Sequence, residues 1–318
     1  MKRKSTPVGI AARVLLPLVS LVALFLVGEL VARTLGGVRY GGWGDPASIR
    51  LVSSQFQLNT QGLRDYEIPV EKSAGETRVL CLGDSFTWGQ MVELDETYAK
   101  CLERDLRASM PGRKLTVINS GRLGWNTADE YEWFLREGVR YEPDVVVVGF
   151  CLNDAEEDHY ALARLLPENL EKKFAWSYFY FFLKYRVHLL KVKLGITPGY
   201  TEYILSLYSR ESFAWKKAKR ALRMIAETAQ ERGAHVLVAV FPIVSDWETY
   251  PFTPVHEDVM AFCESRAIPA LDLLDAFRTS PLPWEELRVG PADRHPSAEG
   301  HRIIADGIAG AIRPMLAP

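Results

Sequence analysis

An apolar run that stops at a glycine and a polar pair constrains the fold of this chain more than any other stretch. It lies in Arg78–Gln90, where the run ends at Gly83 and Asp84 and Ser85 follow directly. Continuous apolar runs of this length, bounded by turn signals, are typical of strands buried on both faces of a parallel sheet. The loop leaving such a strand opens at the sheet edge where open α/β folds bind ligands. Ser85 is therefore a candidate nucleophile. The alternative is an ordinary turn in which Asp84 or Ser85 caps a helix.

After Ser85 the chain alternates between helical periodicity and short apolar runs. Such alternation produces βαβ units with parallel strands and right-handed crossovers. The pattern predicts a three-layer α/β fold with a doubly wound, five-stranded parallel sheet. The predicted segments are helix 95–110, strand 115–119, helix 127–137, strand 145–150, helix 212–232, strand 234–241, strand 268–273 and helix 300–312.

Composition excludes some classes of partner and site. The chain has 318 residues, is 48% hydrophobic and carries a formal net charge of −2. It can therefore bury a sizeable core, and nothing in its charge favours binding to nucleic acid. Its cysteines, which lack the spacing of a zinc site and are predicted to be buried free thiols rather than a disulfide framework, are Cys81, Cys101, Cys151 and Cys263.

The amino-terminal residues resemble a membrane segment. Positive residues at positions 2–4 precede the apolar run Val8–Gly28, whose only charge is Arg13. With Arg13 reaching toward the headgroups, this run could cross about 30 Å of hydrocarbon. A cleaved signal peptide has the same charged start, but residues 29–33 match a cleavage site poorly. We favour an uncleaved anchor that keeps the amino terminus in the cytoplasm and places the rest of the chain outside the membrane.

These patterns predict an anchor or signal over residues 1–35, a juxtamembrane linker docking on the domain over 36–77, and the α/β domain over 78–318. An insert at about 155–210 interrupts the domain; it is rich in aromatic residues near position 180, followed by Arg186, Lys191 and Lys193. An insert of this length is commonly functional. It is expected to hold helices that form a lid over the site, a patch on the membrane surface, or a hairpin whose aromatic residues are core.

Several weak signals fall in loops expected at one edge of the sheet. Ser85, Gly124 and Asn153 follow strands, and Asp293 and His295 lie in a late loop. Each is common alone as a cap, a turn, a helix start or a surface residue. Together, and in this order, they supply a nucleophile, a base, an orienting acid and oxyanion donors, which is what acyl transfer needs.

These motifs resemble those of the SGNH, or GDSL, hydrolases, a family of serine esterases and lipases. Gly83-Asp84-Ser85 is similar to the family's first block, Gly124 to its second, Asn153-Asp154 to its third, and Asp293 with His295 to its last. The resemblance covers residues 78–312 apart from the insert. It implies the flavodoxin-like fold of that family.

The chain departs from the family pattern at two places. The glycine usually found two residues before the third-block Asn is Cys151, and the usual Asp-x-x-His is Asp-x-His because Ala292 occupies the expected Asp position. Side chains two residues apart in extended backbone leave on the same face, so Asp293 could still reach His295. Similar Asp-x-His pairs occur in SGNH-like proteins that acetylate exported polysaccharides. Acids further from the base that could replace Asp293 are Asp246 and Asp275.

The resemblance implies a carboxylic-ester hydrolase with Ser85 as nucleophile, His295 as base and Asp293 as orienting acid. Ser85 and Gly124 backbone N–H groups and the Asn153 amide would form the oxyanion hole, and neither a metal nor a cofactor is implied. The substrate would be a small-molecule, glycan or lipid ester. The other expected partner is a membrane, bound through residues 8–28, and nucleic acid is not expected as a partner. Two alternatives stay open: an O-acyltransferase acting on an exported glycan, and a non-catalytic anchored scaffold. The sequence does not indicate an oligomeric state.

Overall fold

The computed structural model describes residues 7–34, 57–156, 166, 170, 172–174, 176–290 and 293–316. The chain forms two compact units, one of Met1–Asp45 with Tyr160–Thr197 and one of Pro46–His159 with Pro198–Pro318. Residues 36–56 of the predicted linker, Ala292 and much of the first half of the insert lie outside the described residues.

The helices and strands follow each other in an alternating order. They are α1 (Pro7–Thr34), β1 (Glu76–Gly83), α2 (Ser85–Trp88), α3 (Tyr98–Ser109), β2 (Lys114–Asn119), α4 (Thr127–Arg136), β3 (Val145–Cys151), α5 (Tyr178–Lys193), α6 (Tyr200–Leu207), α7 (Phe213–Glu231), β4 (His235–Phe241), α8 (Thr253–Ser265), β5 (Ala270–Asp272), α9 (Leu274–Arg278), β6 (Arg288–Gly290), β7 (Asp293–Pro296) and α10 (Ala298–Ile312). Short 3₁₀ helices lie at Leu94–Glu96, Gly138–Tyr141, Lys172–Phe174 and Arg313–Leu316.

The larger unit is built on a five-stranded sheet with the order β2-β1-β3-β4-β5. Every neighbouring pair is parallel. Strand order reverses at β1 and β3, which is the doubly wound arrangement, and the predicted fold is confirmed. Every residue of the central strand β3 is buried. Continuous apolar runs were therefore a reliable signal for these strands, because both faces of the sheet are covered by helices.

Helices pack in pairs against this sheet. The pair α3 and α10 and the pair α4 and α7 are each in close contact. Their apolar stripes and the buried strands form one core cluster. This cluster also takes in Leu63 and Ile68 from the described part of the predicted linker. The four cysteines are free and buried, as predicted.

Some element bounds differ from the sequence prediction. The predicted helix 95–110 divides into a 3₁₀ turn and α3, because the Thr97 side chain accepts a hydrogen bond from the Lys100 N–H and caps a new helix. Strand β5 is shorter than the predicted 268–273. Helices α8 and α9 and the antiparallel pair β6 and β7 were not predicted from the sequence.

The smaller unit contains α1 and α5, which contact each other. Helix α1 is long and apolar enough to cross a membrane, by length and composition, over Leu15–Thr34. A signal sequence near the amino terminus meets the same criterion. The insert does hold helices, as predicted. Of these, α5 belongs to the smaller unit and α6 to the larger one.

Candidate active site

Ser85 is the first residue of α2, in the turn that follows β1. Asp84 caps this helix, because its Oδ1 accepts a hydrogen bond from the Phe86 N–H at 2.8 Å. A side chain at Gly83 would place its Cβ 2.0 Å from Oγ1 of Thr87. The turn therefore requires glycine at position 83, and this close packing brings Ser85 to the carboxyl end of the strand.

The second loop follows β2 and is bonded to the end of β1. Ser120 donates from both its N–H and its hydroxyl to the Cys81 carbonyl, at 3.0 and 2.7 Å. The Arg122 N–H donates to the Gly83 carbonyl at 3.0 Å. These bonds hold the loop containing Gly124 beside the Ser85 turn. Gly124 itself has φ +73°, a left-handed conformation that favours glycine.

The third loop is a tight turn after β3. Asp154 closes it, accepting from the Cys151 N–H at 2.9 Å and donating its own N–H to the Cys151 carbonyl at 2.9 Å. The thiol of Cys151 is fully buried, so the structure accommodates cysteine where the family usually has glycine. Asn153 projects from this turn, and its Nδ2 donates to Oδ2 of Asp84 at 3.2 Å.

The last segment is β7, which pairs with β6 as a short antiparallel hairpin. Asp293 and His295 lie in this strand, and Oδ1 of Asp293 is 2.5 Å from Nδ1 of His295. The other ring nitrogen, Nε2, lies 2.8 Å from Oγ of Ser85. A continuous path of hydrogen bonds thus joins three side chains from opposite ends of the domain. The altered Asp-x-His spacing does not prevent it.

The electrostatics of Asp293 favour its ionised form. Burial acts to raise the pKa of this carboxyl, but hydrogen bonds and charge from His295 and a bond from Gln90 outweigh burial and lower it. The backbone N–H of His295 donates to Oδ1 at 3.0 Å, and Nε2 of Gln90 donates to Oδ2 at 3.4 Å. An ionised carboxylate only accepts, so His295 carries its proton on Nδ1 and leaves Nε2 as an acceptor for Ser85.

The Ser85 hydroxyl faces two acceptors. Nε2 of His295 is at 2.8 Å and Oδ2 of Asp84 is at 3.2 Å. A hydroxyl donates one hydrogen, so these acceptors compete, and the shorter contact is the one to the imidazole. Oδ2 of Asp84 also accepts from Asn153, so one buried carboxylate oxygen touches both the serine and the third loop.

The two alternative acids named from the sequence, and a buried histidine of α10, have different contacts. Asp246 accepts hydrogen bonds from the Glu248 N–H and the Thr249 hydroxyl, and the Asp275 carboxyl is 91% exposed. His301 is buried in α10, and its Nδ1 accepts from the Tyr98 N–H at 3.2 Å. Burial, with the charges of His295 and Arg64, lowers the pKa of His301 to about 3. His301 is therefore a neutral packing residue.

Two acids in and next to the third loop, Asp154 and Glu130, are buried. Burial and the carboxyl groups around them raise the pKa of Glu130 and of Asp154 well above the ordinary range. Burial thus favours the neutral form of both carboxyl groups. Among the described residues, no group of three or more His, Cys, Asp or Glu side chains is arranged to hold a metal ion.

Sequence reasoning missed two residues of this site. Gln90 contacts the acid Asp293, which lies 203 positions later in the sequence. No feature of a single glutamine indicates such a contact. Gly121 packs so tightly that an added Cβ would lie 2.2 Å from the backbone nitrogen of Trp88. The sequence did contain a signal for a tightly packed loop at this place, because two glycines, Gly121 and Gly124, lie three residues apart.

Comparison with solved structures gives similar folds at low sequence identity. An α/β hydrolase, LAE5, from the metagenome of Lake Arreo in Spain is 14% identical, with 76% of this chain and 97% of that chain covered and a TM-score of 0.50. A catalytic mutant of the acetylxylan esterase Axe2 from Geobacillus stearothermophilus is 17% identical, with coverages of 76% and 95% and a TM-score of 0.49. A lipase/acylhydrolase from Enterococcus faecalis is 18% identical, with coverages of 75% and 96% and a TM-score of 0.48.

No curated protein matches the chain in sequence. The profile of the GDSL-like Lipase/Acylhydrolase family, however, matches residues 81–303, which is more than half of the chain and includes Ser85 and His295. The matched region starts inside β1 and ends inside α10, so it takes in all four loops of the site. On this match the chain belongs to the GDSL-like lipase/acylhydrolase family and is an ester-cleaving hydrolase.

Proposed function

We propose that the protein hydrolyses carboxylic esters with Ser85 as nucleophile, His295 as general base and Asp293 as the acid that orients the base. The observation that carries the proposal is the unbroken path from Oγ of Ser85 through the imidazole to Asp293, with contacts of 2.8 and 2.5 Å. Both distances are within reach for proton transfer, and the order of groups is that of a catalytic triad.

The chemistry proceeds in two halves. Oγ of Ser85 attacks the ester carbonyl while Nε2 of His295 takes the hydroxyl proton, and the ionised Asp293 stabilises the imidazolium that forms. The proton then passes to the leaving alcohol, and an acyl group remains on Ser85. Water, deprotonated by His295, attacks this acyl-enzyme and releases the acid.

The developing oxyanion needs preorganised donors. We assign the backbone N–H of Ser85, the backbone N–H of Gly124 and the Nδ2 of Asn153 to this role. The Asn153 amide donates one hydrogen to Asp84, which fixes the amide plane and leaves the second Nδ2 hydrogen for the substrate. Fixed donors are what make an oxyanion hole effective, because they do not reorganise during the reaction.

We further propose that residues 8–28 of α1 anchor the enzyme in a membrane and that the catalytic unit lies on the extracytoplasmic side. The support is the apolar length of α1 and the positive residues at positions 2–4. The expected result is a protein that sediments with membranes, resists carbonate extraction and retains its amino terminus. A soluble product beginning after about residue 32 would identify the segment as a cleaved signal.

Activity is tested on the full chain in detergent with an ester panel of rising acyl length, including an acetylated glycan. We expect hydrolysis by the native protein, loss in Ser85→Ala, and retention in Ser206→Ala, a control at an exposed serine of α6. A sugar acceptor is added in parallel. Transfer to the sugar outrunning hydrolysis would favour the acyltransferase alternative, and equal activity of Ser85→Ala and native protein would refute the assignment of the nucleophile.

A further inference from the structure

A carboxylate from α1 caps the start of α5. Glu29 is buried, and its Oε2 accepts hydrogen bonds from the Ser177 hydroxyl at 2.8 Å and from the Phe179 N–H at 3.0 Å. Its Oε1 lies 2.7 Å from Nε of Arg33, which also donates from its terminal nitrogen to the Trp176 carbonyl at 2.9 Å. A carboxylate at a helix amino terminus satisfies N–H groups that the helix itself cannot bond.

Apolar contacts continue this junction on the same side of α1. A Cβ at Gly28 would lie 2.8 Å from the ring of Phe179, so the glycine lets that ring approach the helix backbone. The ring of Phe25 packs edge-on against Phe179, with 5.7 Å between centroids, and against Trp176 at 6.2 Å. Helix α1 thus packs against the insert through both polar contacts, made by Glu29 and Arg33, and apolar contacts, made by Phe25 and Gly28.

Beyond Phe179, the same face of α5 carries a leucine stripe. It consists of Leu183, Val187, Leu190 and the C-cap residue Leu194. These residues follow Phe179 at successive spacings of four, four, three and four and so share one side of the helix. The three leucines are 44%, 54% and 64% exposed. Large apolar side chains exposed together mark a surface that contacts a partner or a membrane.

The charges around the stripe are all positive. The sequence from Tyr178 to Ile196 contains four Lys or Arg and no Asp or Glu. Arg186 and Lys193 are exposed, and Lys191 is partly so. Helices with an apolar face flanked by basic residues lie at the boundary between anionic headgroups and acyl chains.

We propose that α5 lies on an anionic lipid surface, with the leucine stripe at the acyl boundary and Arg186, Lys191 and Lys193 on lipid phosphates. A lipid surface fits better than a second protein because the stripe continues the α5 face that contacts α1, and α1 exposes leucines along its own length. The inference rests on the proposed membrane anchoring by α1. It makes α1 a retained part of the fold, since removal of α1 would leave the Phe179 N–H at the start of α5 without the acceptor that Glu29 supplies.

The test uses the full chain in nanodiscs made with or without anionic phosphatidylglycerol. The variant Leu190→Cys is labelled with a fluorophore, and brominated lipids serve as quenchers. Labelling is selective because the native cysteines are buried. The control is Leu135→Cys, at a leucine of α4 in the larger unit that is similarly exposed, 45% against 54%. We expect several-fold stronger quenching at position 190, and stronger still with anionic lipid. Equal quenching at the two positions would overturn the proposal.

The triple variant Arg186→Gln, Lys191→Gln, Lys193→Gln, made in the Leu190→Cys chain, separates this proposal from the anchor. It should lose the dependence of quenching on anionic lipid while keeping carbonate resistance and hydrolysis of a soluble ester. If carbonate extracts the native protein from membranes, the proposed anchor is wrong, whatever the quenching at position 190 shows. The lipid assignment would be refuted if the fluorophore at position 190 is not quenched by lipid and the unlabelled Leu190→Cys protein is cross-linked to a second copy by a thiol cross-linker. That result would show that protein covers the stripe.

Discussion

Nδ1 of His295 lies 2.5 Å from Oδ1 of Asp293, although a single residue separates them in the chain. Strand β7 makes this contact possible, because extended backbone projects alternate side chains on one face. Asp293→Asn should retain the fold but disturb the imidazole tautomer. We expect kcat for a short ester to fall by up to about 10⁴-fold, as in other triads, with the thermal midpoint nearly unchanged.

Matched controls for this substitution are Asp246→Asn and Asp275→Asn, which should leave kcat within about twofold of the native value because neither carboxyl contacts His295. Adding Asp293→Asn to Ser85→Ala should cost little more than Ser85→Ala alone, since residues that act as a unit are not additive. An Asp293→Asn enzyme with most of its activity would show that another acid orients the base.

The Asn153 amide is the donor on which the oxyanion proposal depends most. Asn153→Ala should lower kcat by about 10²- to 10³-fold with little change in KM, because the donor acts on charge that develops in the transition state. The control is Asn126→Ala, which removes the cap accepting from the Ala128 and Asp129 N–H groups of α4. That variant should lose about 1 kcal/mol of stability while keeping its kcat. Native kcat in Asn153→Ala would remove this residue from the site.

Gly121 is predicted to be essential for placing the second loop. Its missing side chain lets the loop approach the backbone of Trp88, which cannot move aside as a flexible side chain can. Gly121→Ala should therefore lower both the free energy of unfolding and kcat. Gly310→Ala in α10 is the contrasting change: nothing lies within 4 Å of the added Cβ, and a helical glycine replaced by alanine should gain up to about 1 kcal/mol. Chemical denaturation of both variants tests this, and an unaffected Gly121→Ala protein would contradict it.

Buried His301 should make stability depend on pH. Its pKa is lowered to about 3 in the folded state, against about 6.5 in an unfolded chain, so unfolding takes up a proton between these values. The contribution of neutral His301 is thus complete above about pH 6.5 and is lost as pH falls toward 3. His301→Asn, which keeps an acceptor for the Tyr98 N–H, should show a flatter decline between about pH 6.5 and 4.5, above the range where exposed carboxyls titrate. The buried carboxyls are the same in both proteins, so the difference between the two declines reports His301. Parallel urea titrations at each pH measure this, and identical slopes would contradict it.

The sequence predicted the sheet because its strands are buried on both faces and therefore read as unbroken apolar runs, as in Val145–Cys151. It also grouped Ser85, Gly124 and Asn153, since loops after parallel strands share one edge. Helix α8 was not predicted although Val255, Val259 and Cys263 recur at helical spacing. Strands β6 and β7 were not predicted because strands of three or four residues carry almost no pattern.

Contacts between distant segments could not be predicted from the sequence for a different reason. In the sequence, Glu29 is an isolated acidic residue near the end of an apolar helix. Only the fold shows that its carboxylate accepts a hydrogen bond from the Ser177 hydroxyl at 2.8 Å. The Gln90 side chain likewise bonds a residue far along the chain, since its Nε2 donates to Asp293. Both are polar groups whose function is defined by the segment they meet, and single-chain periodicity contains no information about that segment.

The fully buried thiol of Cys151, at the end of β3, makes opening of the third loop measurable without an engineered label. Burial raises its pKa well above that of a free cysteine, so a thiol reagent reacts only when the turn between β3 and Asn153 opens to water. The alkylation rate of Cys151, resolved from that of the other cysteines by peptide mass spectrometry, is therefore a native-state exchange measurement of this turn. A substrate analogue that binds beside Asn153 should slow this rate while leaving that of Cys263, on α8, unchanged.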